Sequence, residues 1–176
     1  MAEKNAYKEG LKKAQQFSSV HKAGGLSYFC TNSDVAEGEH ISLLEHVMKG
    51  INSDKKAQHF GKLILACDDD TIVGMIHVPH ELVSQNRFSA LDWVDAILDK
   101  IQNRDALDIE KNMSEANGRV ILRVNQEKEV FAFKVCSDMM DNSSQVLREK
   151  NLLPKRGDDD EEEDDVDYAE SLGIEW

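Results

Sequence analysis

Residue types able to hold a metal ion occur together near the middle of the chain. Cys67 and His77 flank the three aspartates of residues 68–70, and His80 follows after a Val-Pro pair. A structural zinc site needs four convergent ligands, and no second cysteine accompanies this group. A calcium loop needs a glycine and a bidentate glutamate, which the aspartate run lacks. We interpret these residues as strand, loop and solvated turn positions, and expect no metal ion and no cofactor.

Nucleophilic catalysis would require a serine or cysteine beside a histidine and an orienting group. The chain has six histidines and three cysteines, but no nucleophile elbow and no cysteine-protease signature. It also lacks a P-loop and a GxGxxG motif. We therefore expect no catalytic residue in this chain.

Phosphate binding requires clustered positive charge, and this chemistry fits the sequence better. Lysines cluster on a helix predicted near the N-terminus, and two arginines occur on a later predicted strand. The candidate nucleic-acid-binding residues are Lys8, Lys12, Lys13, Lys22, Arg119 and Arg123, with Lys4 nearby. The alternative interpretation is an ordinary solvated helix face, because exposed lysines are common.

The negative charge is concentrated in the C-terminal tail. The chain has a net charge of −13, from 34 acidic and 21 basic residues. Residues 157–176 contain eleven of the acidic residues and no basic residue, which leaves 23 acidic against 21 basic residues in the preceding part. Consecutive carboxylates repel one another and offer nothing to bury, so we expect residues 154–176 to be a disordered acidic tail.

The tail ends in an apolar and aromatic segment, YAESLGIEW, at residues 168–176. One interpretation is that the tail aids solubility, and a second is that it competes with nucleic acid for basic residues. A third is that the segment docks on a protein partner as a linear motif. The candidate partner-binding residues are Tyr168, Leu172, Ile174 and Trp176.

The apolar spacing predicts most of the elements that would position these residues. Helices are predicted at residues 3–17 and 40–51, with a break at 18–25 and a strand at 26–31 between them. Residues 63–67 (LILAC) and 71–78 are predicted to form a β-hairpin that Pro79 ends. A further helix is predicted to begin at Ser89, with Asp92 completing a capping box and Trp93 at the edge of its apolar stripe.

The last part of the body is predicted to contain a second hairpin, with strands at residues 119–125 and 130–136. Residues 102–117 are polar, with one helical turn near 106–109, and a short helix is predicted at 141–150. The elements indicate an α+β fold: a small, mostly antiparallel sheet with helices packed on one face, preceded by a helix and followed by the disordered acidic tail. The predicted divisions are an N-terminal helix (1–22), a globular domain (23–153) and the tail (154–176).

Cysteine usage and hydropathy bear on the compartment. Cys30, Cys67 and Cys136 are odd in number and widely spaced, which argues against a disulfide framework and indicates a reducing compartment. No apolar run approaches the roughly 20 residues of a membrane span, and the N-terminus has no signal-type apolar stretch. A reducing compartment can be the cytosol, the nucleus or an organelle matrix; of these we expect the cytoplasm, with no membrane contact.

The middle of the chain resembles a known family. The residues that carry the resemblance are segment 26–51, the hairpin at 62–79 ending in Val-Pro, and the helix-opening segment 88–94, FSALDWV. They are similar to the globular part of the C-terminal, DHHA1-like domain of alanyl-tRNA synthetase, over residues 1–102. The N-terminal helix then resembles the end of the helical segment that precedes this domain in the family.

The resemblance implies a function. In the family this domain is non-catalytic, helps to bind the elbow of tRNA, and links the aminoacylation and editing modules of an alanine–tRNA ligase. The chain would accordingly bind tRNA or be repurposed for another contact. The family has a glycine-rich stretch after the Trp helix, whereas residues 99–117 contain no glycine, which indicates a diverged version. The alternative is a protein-interaction module acting through the tail.

Overall fold

The computed structural model describes residues 1–34 and 40–153, which form five helices and five strands. The helices are α1 (Ala2–Gly24), α2 (His40–Asn52), α3 (His80–Asn86), α4 (Ala90–Asp99) and α5 (Ala132–Glu149). The strands are β1 (Tyr28–Asn32), β2 (Gly61–Cys67), β3 (Thr71–His77), β4 (Leu107–Met113) and β5 (Asn117–Val124). The tail predicted for residues 154–176 lies outside the described residues.

The five strands form one sheet in the order β1-β2-β3-β5-β4. β1 runs parallel to β2, and the other neighbouring pairs are antiparallel. The predicted α+β class with a mostly antiparallel sheet is confirmed. The predicted hairpin is β2–β3, whose turn is fixed because the Asp68 carboxylate accepts hydrogen bonds from the backbone N–H groups of Asp70 (3.2 Å) and Thr71 (2.9 Å).

The central strands bury side chains on both faces of the sheet. Along β2, Leu63 and Leu65 belong to one apolar core, whereas Ile64 and Ala66 belong to a second core on the opposite face. α4 and α5 cover the first face, and α1 and α2 form the layer over the second. Helices therefore lie on both faces rather than on the one face predicted, because a continuous apolar run leaves no side of the strand for solvent.

α1 is longer than predicted and is part of the core. It continues through the predicted break at residues 18–25, where the Ser19 hydroxyl donates to the Gln15 carbonyl (2.9 Å). It ends at Gly25, whose φ of 72° gives the left-handed cap that favours glycine. The boundary predicted after residue 22 does not divide the core, since α1 packs along α2.

The contact between α1 and α2 depends on close backbone approach. A Cβ atom added to Gly10 would collide with the carbonyl oxygen of Val47, and one added to Gly50 would collide with the carbonyl oxygen of Tyr7. Two helices can pack at this distance only where neither presents a side chain, so these glycines fix the seam between the helices.

α4 begins with the predicted capping box. The Ser89 hydroxyl accepts from the Asp92 backbone N–H (3.1 Å), and the Asp92 carboxylate accepts from the Ser89 backbone N–H (2.9 Å). Trp93 was predicted at the edge of the apolar stripe, but it is fully buried. Its indole N–H donates to the Ser143 hydroxyl (3.1 Å), which ties α4 to α5.

The second predicted hairpin is wrong in its second strand. Residues 130–136 do not form a strand; α5 starts at Ala132 and buries Val135, Cys136 and Met139 at helical spacing. Phe131 and Phe133 are two residues apart, which is the spacing of one face of a strand. Their side chains are 70% and 78% exposed, so they do not form a buried strand face. The short helix predicted at residues 141–150 is the second half of α5.

The strand that pairs with β5 is β4, at residues predicted to be irregular. β4 is the edge strand, and its pattern is polar because Asp108, Glu110 and Lys111 are exposed. Charged residues on an edge strand hinder pairing with other chains, so polarity here does not exclude a strand. Its register places Asp108 opposite Arg123 and Asn112 opposite Arg119.

Candidate nucleic-acid interface

The lysines of α1 form one stripe along the helix. At about 100° per residue, Lys4, Lys12 and Lys22 all lie within about 40° of the direction of Lys8. All four side chains are exposed. The stripe is about 27 Å long, from 18 residues at about 1.5 Å each. Four positive charges at intervals along such a length match a polyanion better than a single small anion.

The stripe faces away from the core. The buried residues of α1 are Ala6, Gly10, Ala14 and Phe17, and they lie on the side opposite Lys8. The acidic residues of α1, Glu3 and Glu9, point about 100° or more away from Lys8. The exposed surface of the helix is therefore positive although the whole chain is negative.

Lys13 does not belong to the stripe. Its ammonium group donates to the backbone carbonyl of Asn32 (2.7 Å) and pairs with Glu9 (3.4 Å). Glu9 in turn accepts from the Ser33 hydroxyl and from the Asp34 backbone N–H, both at 3.2 Å. Lys13 and Glu9 thus attach α1 to the end of β1, and the structure gives Lys13 a role in the fold.

Arg119 and Arg123 are not part of the stripe either. Both lie on β5, on the side of the sheet that faces α2. Arg119 pairs with Glu45 of α2 (4.0 Å), and Arg123 pairs with Asp108 (3.7 Å) and Glu110 (3.4 Å). These carboxylates reduce the positive potential around the two arginines, which lie on a different element from the α1 lysines.

The stripe leads at its C-terminal end to a cleft of about 510 Å³. The cleft lies between the last turns of α1, the entry to β1, the 3₁₀ turn before β2 and the start of α3. Its cationic or titratable lining residues are Lys22, Lys56, His21 and His59, and Glu81 is its acidic residue. Lys22 is therefore shared between the stripe and the cleft.

The inner wall of the cleft is aromatic. The His21 ring lies 4.8 Å from the ring of the buried Phe60, at an angle of 40°. His21 Nδ1 donates to the Leu26 carbonyl (2.7 Å), which orients the ring and leaves Nε2 available. A flat ring next to lysines is an arrangement that can stack a nucleobase while the lysines contact phosphate.

Comparisons with known proteins add no family to this geometry. No protein-family model matches the chain. No curated protein is significantly similar to it.

Two properties can be stated for the described part of the chain. Within residues 1–34 and 40–153, no group of His, Cys, Asp or Glu side chains is arranged to hold a metal ion. None of the helices in these ranges is both long enough and apolar enough to cross a bilayer. The four candidate partner-binding residues, Tyr168, Leu172, Ile174 and Trp176, lie outside these ranges.

Sequence reasoning missed His21, Lys56 and His59. They come from two separate segments that the chain brings together only after β1 and β2 pair, and each is unremarkable by itself. A usable signal was present in α1, where Lys22 falls on the same helical stripe as Lys8 once the helix continues past residue 17.

Proposed function

We propose that this chain is a non-catalytic nucleic-acid-binding domain, and that its ligand is a structured RNA of the tRNA type. The observation that carries the proposal is the stripe of exposed lysines on one side of α1, which ends in the cleft lined by Lys22 and Lys56. The stripe would follow the phosphate backbone, and the cleft would accept an unstacked nucleotide next to His21.

The resemblance to the C-terminal domain of alanyl-tRNA synthetase supports the choice of tRNA. The glycine-free segment that departs from the family includes β4, which lies at the far edge of the sheet from β1. The α1 stripe is separate from that segment, so loss of the family's glycine-rich stretch leaves the proposed contact in place. A cytoplasmic location is part of the same proposal, because tRNA charging occurs where translation occurs.

The direct test measures binding of the full chain to tRNA as a function of salt. The variant Lys8→Gln/Lys12→Gln/Lys22→Gln removes three charges of the stripe. If each lysine contacts a phosphate, the slope of log affinity against log salt falls by about 1 per lysine, or about 3 in total. Fluorescence anisotropy with labelled tRNA at several salt concentrations gives this slope.

A control variant carries the same change in net charge elsewhere. Lys111→Gln/Lys128→Gln/Lys134→Gln removes three lysines that pair with Asp95, Asp105 and Asp138. We expect its salt slope to stay close to that of the unmodified chain. Equal losses in the two variants would contradict a defined interface, and no binding by the unmodified chain at low salt would contradict RNA binding altogether.

The acidic tail provides a second comparison. If it competes with RNA for the stripe, a chain ending at residue 156 binds tRNA more tightly, and the difference decreases as salt screens the charges. Equal affinities with and without the tail would leave the stripe as the RNA site and remove competition by the tail.

A protein partner is a second candidate, favoured by one observation. Phe131 and Phe133 at the start of α5 are 70% and 78% exposed. Exposed aromatic residues of this kind are typical of contact sites for other proteins. The variant Leu172→Ala/Ile174→Ala/Trp176→Ala tests the tail, and Phe131→Ser/Phe133→Ser tests α5. A partner recovered equally well by both variants would remove this candidate.

A further inference from the structure

Three cysteines that are far apart in the sequence lie between the sheet and α5. Cys30 is on β1, Cys67 ends β2, and Cys136 lies near the start of α5. Cys30 pairs in register with Leu63, and Cys67 lies on the same face of β2 as Leu63, because side chains alternate along a strand. This face is the one covered by α5. All three are free thiols in the structure.

The three thiols have different surroundings. Cys67 and Cys136 are neighbours, and besides burial the nearby Cys67 thiol helps to raise the pKa of the Cys136 thiol. Both line a surface pocket of about 350 Å³, together with Phe133, Ser137 and Met140. Cys30 is not part of that lining, and Ser143 of α5 lies beside its thiol. The pocket therefore gives a small reagent access to Cys67 and Cys136, whereas Cys30 is also partly exposed but does not line this pocket.

We propose that Cys67 and Cys136 form a thiol–disulfide exchange site that reacts with a small disulfide of the glutathione type. The shared pocket places the second thiol near the first and admits the reagent. A disulfide between them would link the end of β2 to α5, two elements that already pack against each other.

The reaction begins at Cys67. Its side chain is partly exposed, whereas Cys136 is 6% exposed. Burial raises the pKa of the Cys136 thiol, and of the Cys30 thiol, to about 12, which disfavours their thiolates as first nucleophiles. The Cys67 thiolate attacks one sulfur of glutathione disulfide, a protein–glutathione S–S bond forms, and one glutathione leaves as its thiolate.

Cys136 completes the exchange. Its thiol gives up a proton to solvent and attacks the Cys67 sulfur of the mixed disulfide. The Cys67–Cys136 bond forms, and the second glutathione leaves. In total, the protein dithiol is oxidised to a disulfide and glutathione disulfide is reduced to two molecules of glutathione. Excess reduced glutathione reverses both steps.

The experiment treats the reduced full chain with oxidised glutathione and follows its intact mass over time. We expect a transient adduct of one glutathionyl group, followed by a species that has lost two hydrogen atoms relative to the reduced chain. Digestion without reductant is expected to yield a peptide pair joined through Cys67 and Cys136. This peptide map needs no substitution, so it does not depend on whether a variant folds.

Three single variants assign the roles. Cys136→Ser is expected to stop at the mixed adduct, and Cys67→Ser to form neither product. Cys30→Ser is the matched control and is expected to form both products. A stable adduct on the unmodified chain, a joined peptide containing Cys30, covalent dimers, or no reaction within hours would each overturn the proposal.

Discussion

The two faces of the sheet are covered in different ways. On the α4–α5 face, large side chains fill the core, with Trp93 in contact with the rings of Tyr28 and Phe88. On the α1–α2 face, two glycines allow the helices to approach closely, and Phe29 packs against the rings of Phe17 and Phe60. The α1–α2 face also carries the lysine stripe, and the α4–α5 face carries the three thiols.

This difference indicates how one small sheet can combine stability with a binding surface. Burial of aromatic and branched side chains gives the larger gain in free energy per residue, so the α4–α5 face is expected to dominate stability. Apart from Phe17, the buried residues of α1 are small, so this helix contributes little apolar surface to the core. The outer side of α1 is then available for charge.

The largest effect is expected at Trp93. The substitution Trp93→Ala removes a fully buried ring and leaves the Ser143 hydroxyl without its donor. We expect the free energy of unfolding to fall by about 3–5 kcal/mol, measured by urea denaturation. Leu91→Ala on the same helix, at a site 39% exposed, is the control and should change it by about 0.5 kcal/mol or less. Similar losses in both variants would remove the distinction between the core and the helix surface.

The next effect is expected at the seam between α1 and α2. In Gly50→Ala the new methyl group meets the Tyr7 carbonyl oxygen, so the helices must separate. We expect a loss of about 1–3 kcal/mol in the same assay. Gly24→Ala is the control, because its added Cβ lies 3.9 Å from the nearest atom, a Leu26 side-chain carbon. It should be neutral or stabilising by up to about 1 kcal/mol, given the helix propensity of alanine. An equal loss of unfolding free energy in Gly24→Ala would mean that α1 and α2 are not closely packed at Gly50.

The third prediction concerns the pH dependence of stability. Each face of the sheet buries a titratable group, and burial shifts the pKa values of the two groups in opposite directions. Lys62, on the α1–α2 face, is fully buried, and its ammonium group donates to the Asn52 side-chain oxygen (2.5 Å) and to the Ala57 carbonyl (2.6 Å). Desolvation lowers the pKa of Lys62 from 10.5 to about 8. Burial raises the pKa of Cys136, on the other face, from 9.0 to about 12.

The two groups therefore shift stability in opposite directions as pH rises. Between pH 8 and 10.5 the unfolded chain holds a proton on Lys62 that the folded chain has released, so Lys62 contributes stability that increases with pH. Above pH 9 the folded chain holds a proton on Cys136 that the unfolded chain releases. The stability that Cys136 contributes therefore decreases as pH rises.

Matched variants separate the two contributions. From about pH 8 to 10, the stability of the unmodified chain should rise by about 2 kcal/mol relative to Lys62→Met. Over the same interval it should fall by about 1 kcal/mol relative to Cys136→Ser. Urea denaturation of the three proteins across this interval measures both differences, and parallel curves for all three would contradict the assignment.

The smallest effect on the free energy of unfolding is expected at Arg123, on a part of the sheet that no helix of the described ranges covers. Arg123 lies on β5 with its side chain half exposed, and it pairs with carboxylates of β4. Exposed ion pairs contribute little, so Arg123→Gln should change the free energy of unfolding by about 0.5 kcal/mol or less. A loss above about 1.5 kcal/mol would show that this open part of the sheet contributes to stability as the covered part does.

The success of sequence reasoning depended on local signals. The capping box at Ser89, the LILAC strand and the turn at Asp68 were predicted because hydrogen bonds or burial within a few residues fix them. Residues 130–136 were misread because Phe131 and Phe133 alternate with small residues, and no local signal shows that both rings face solvent. β4 was missed because an edge strand needs no apolar pattern.

The candidate site was predicted only in part. Lys8, Lys12 and Lys22 fall on one stripe through helix geometry alone, which needs no tertiary structure. Lys13, Arg119 and Arg123 have the same charge, but carboxylates and a carbonyl from other elements surround them. The sequence cannot show these neighbours, since they are brought close by strand pairing and helix packing.

The sequence by itself determined the α+β class, most of the elements and the concentration of acidic residues in the tail, because periodicity and charge are local properties. Tertiary structure decided that helices cover both faces, that β5 pairs with β4, and that the α1 stripe ends in a cleft. It also brought Cys30, Cys67 and Cys136 together, although their spacing in the sequence had argued against a shared site. Contacts between distant residues depend on how the elements pack, and no single segment of the chain encodes that packing.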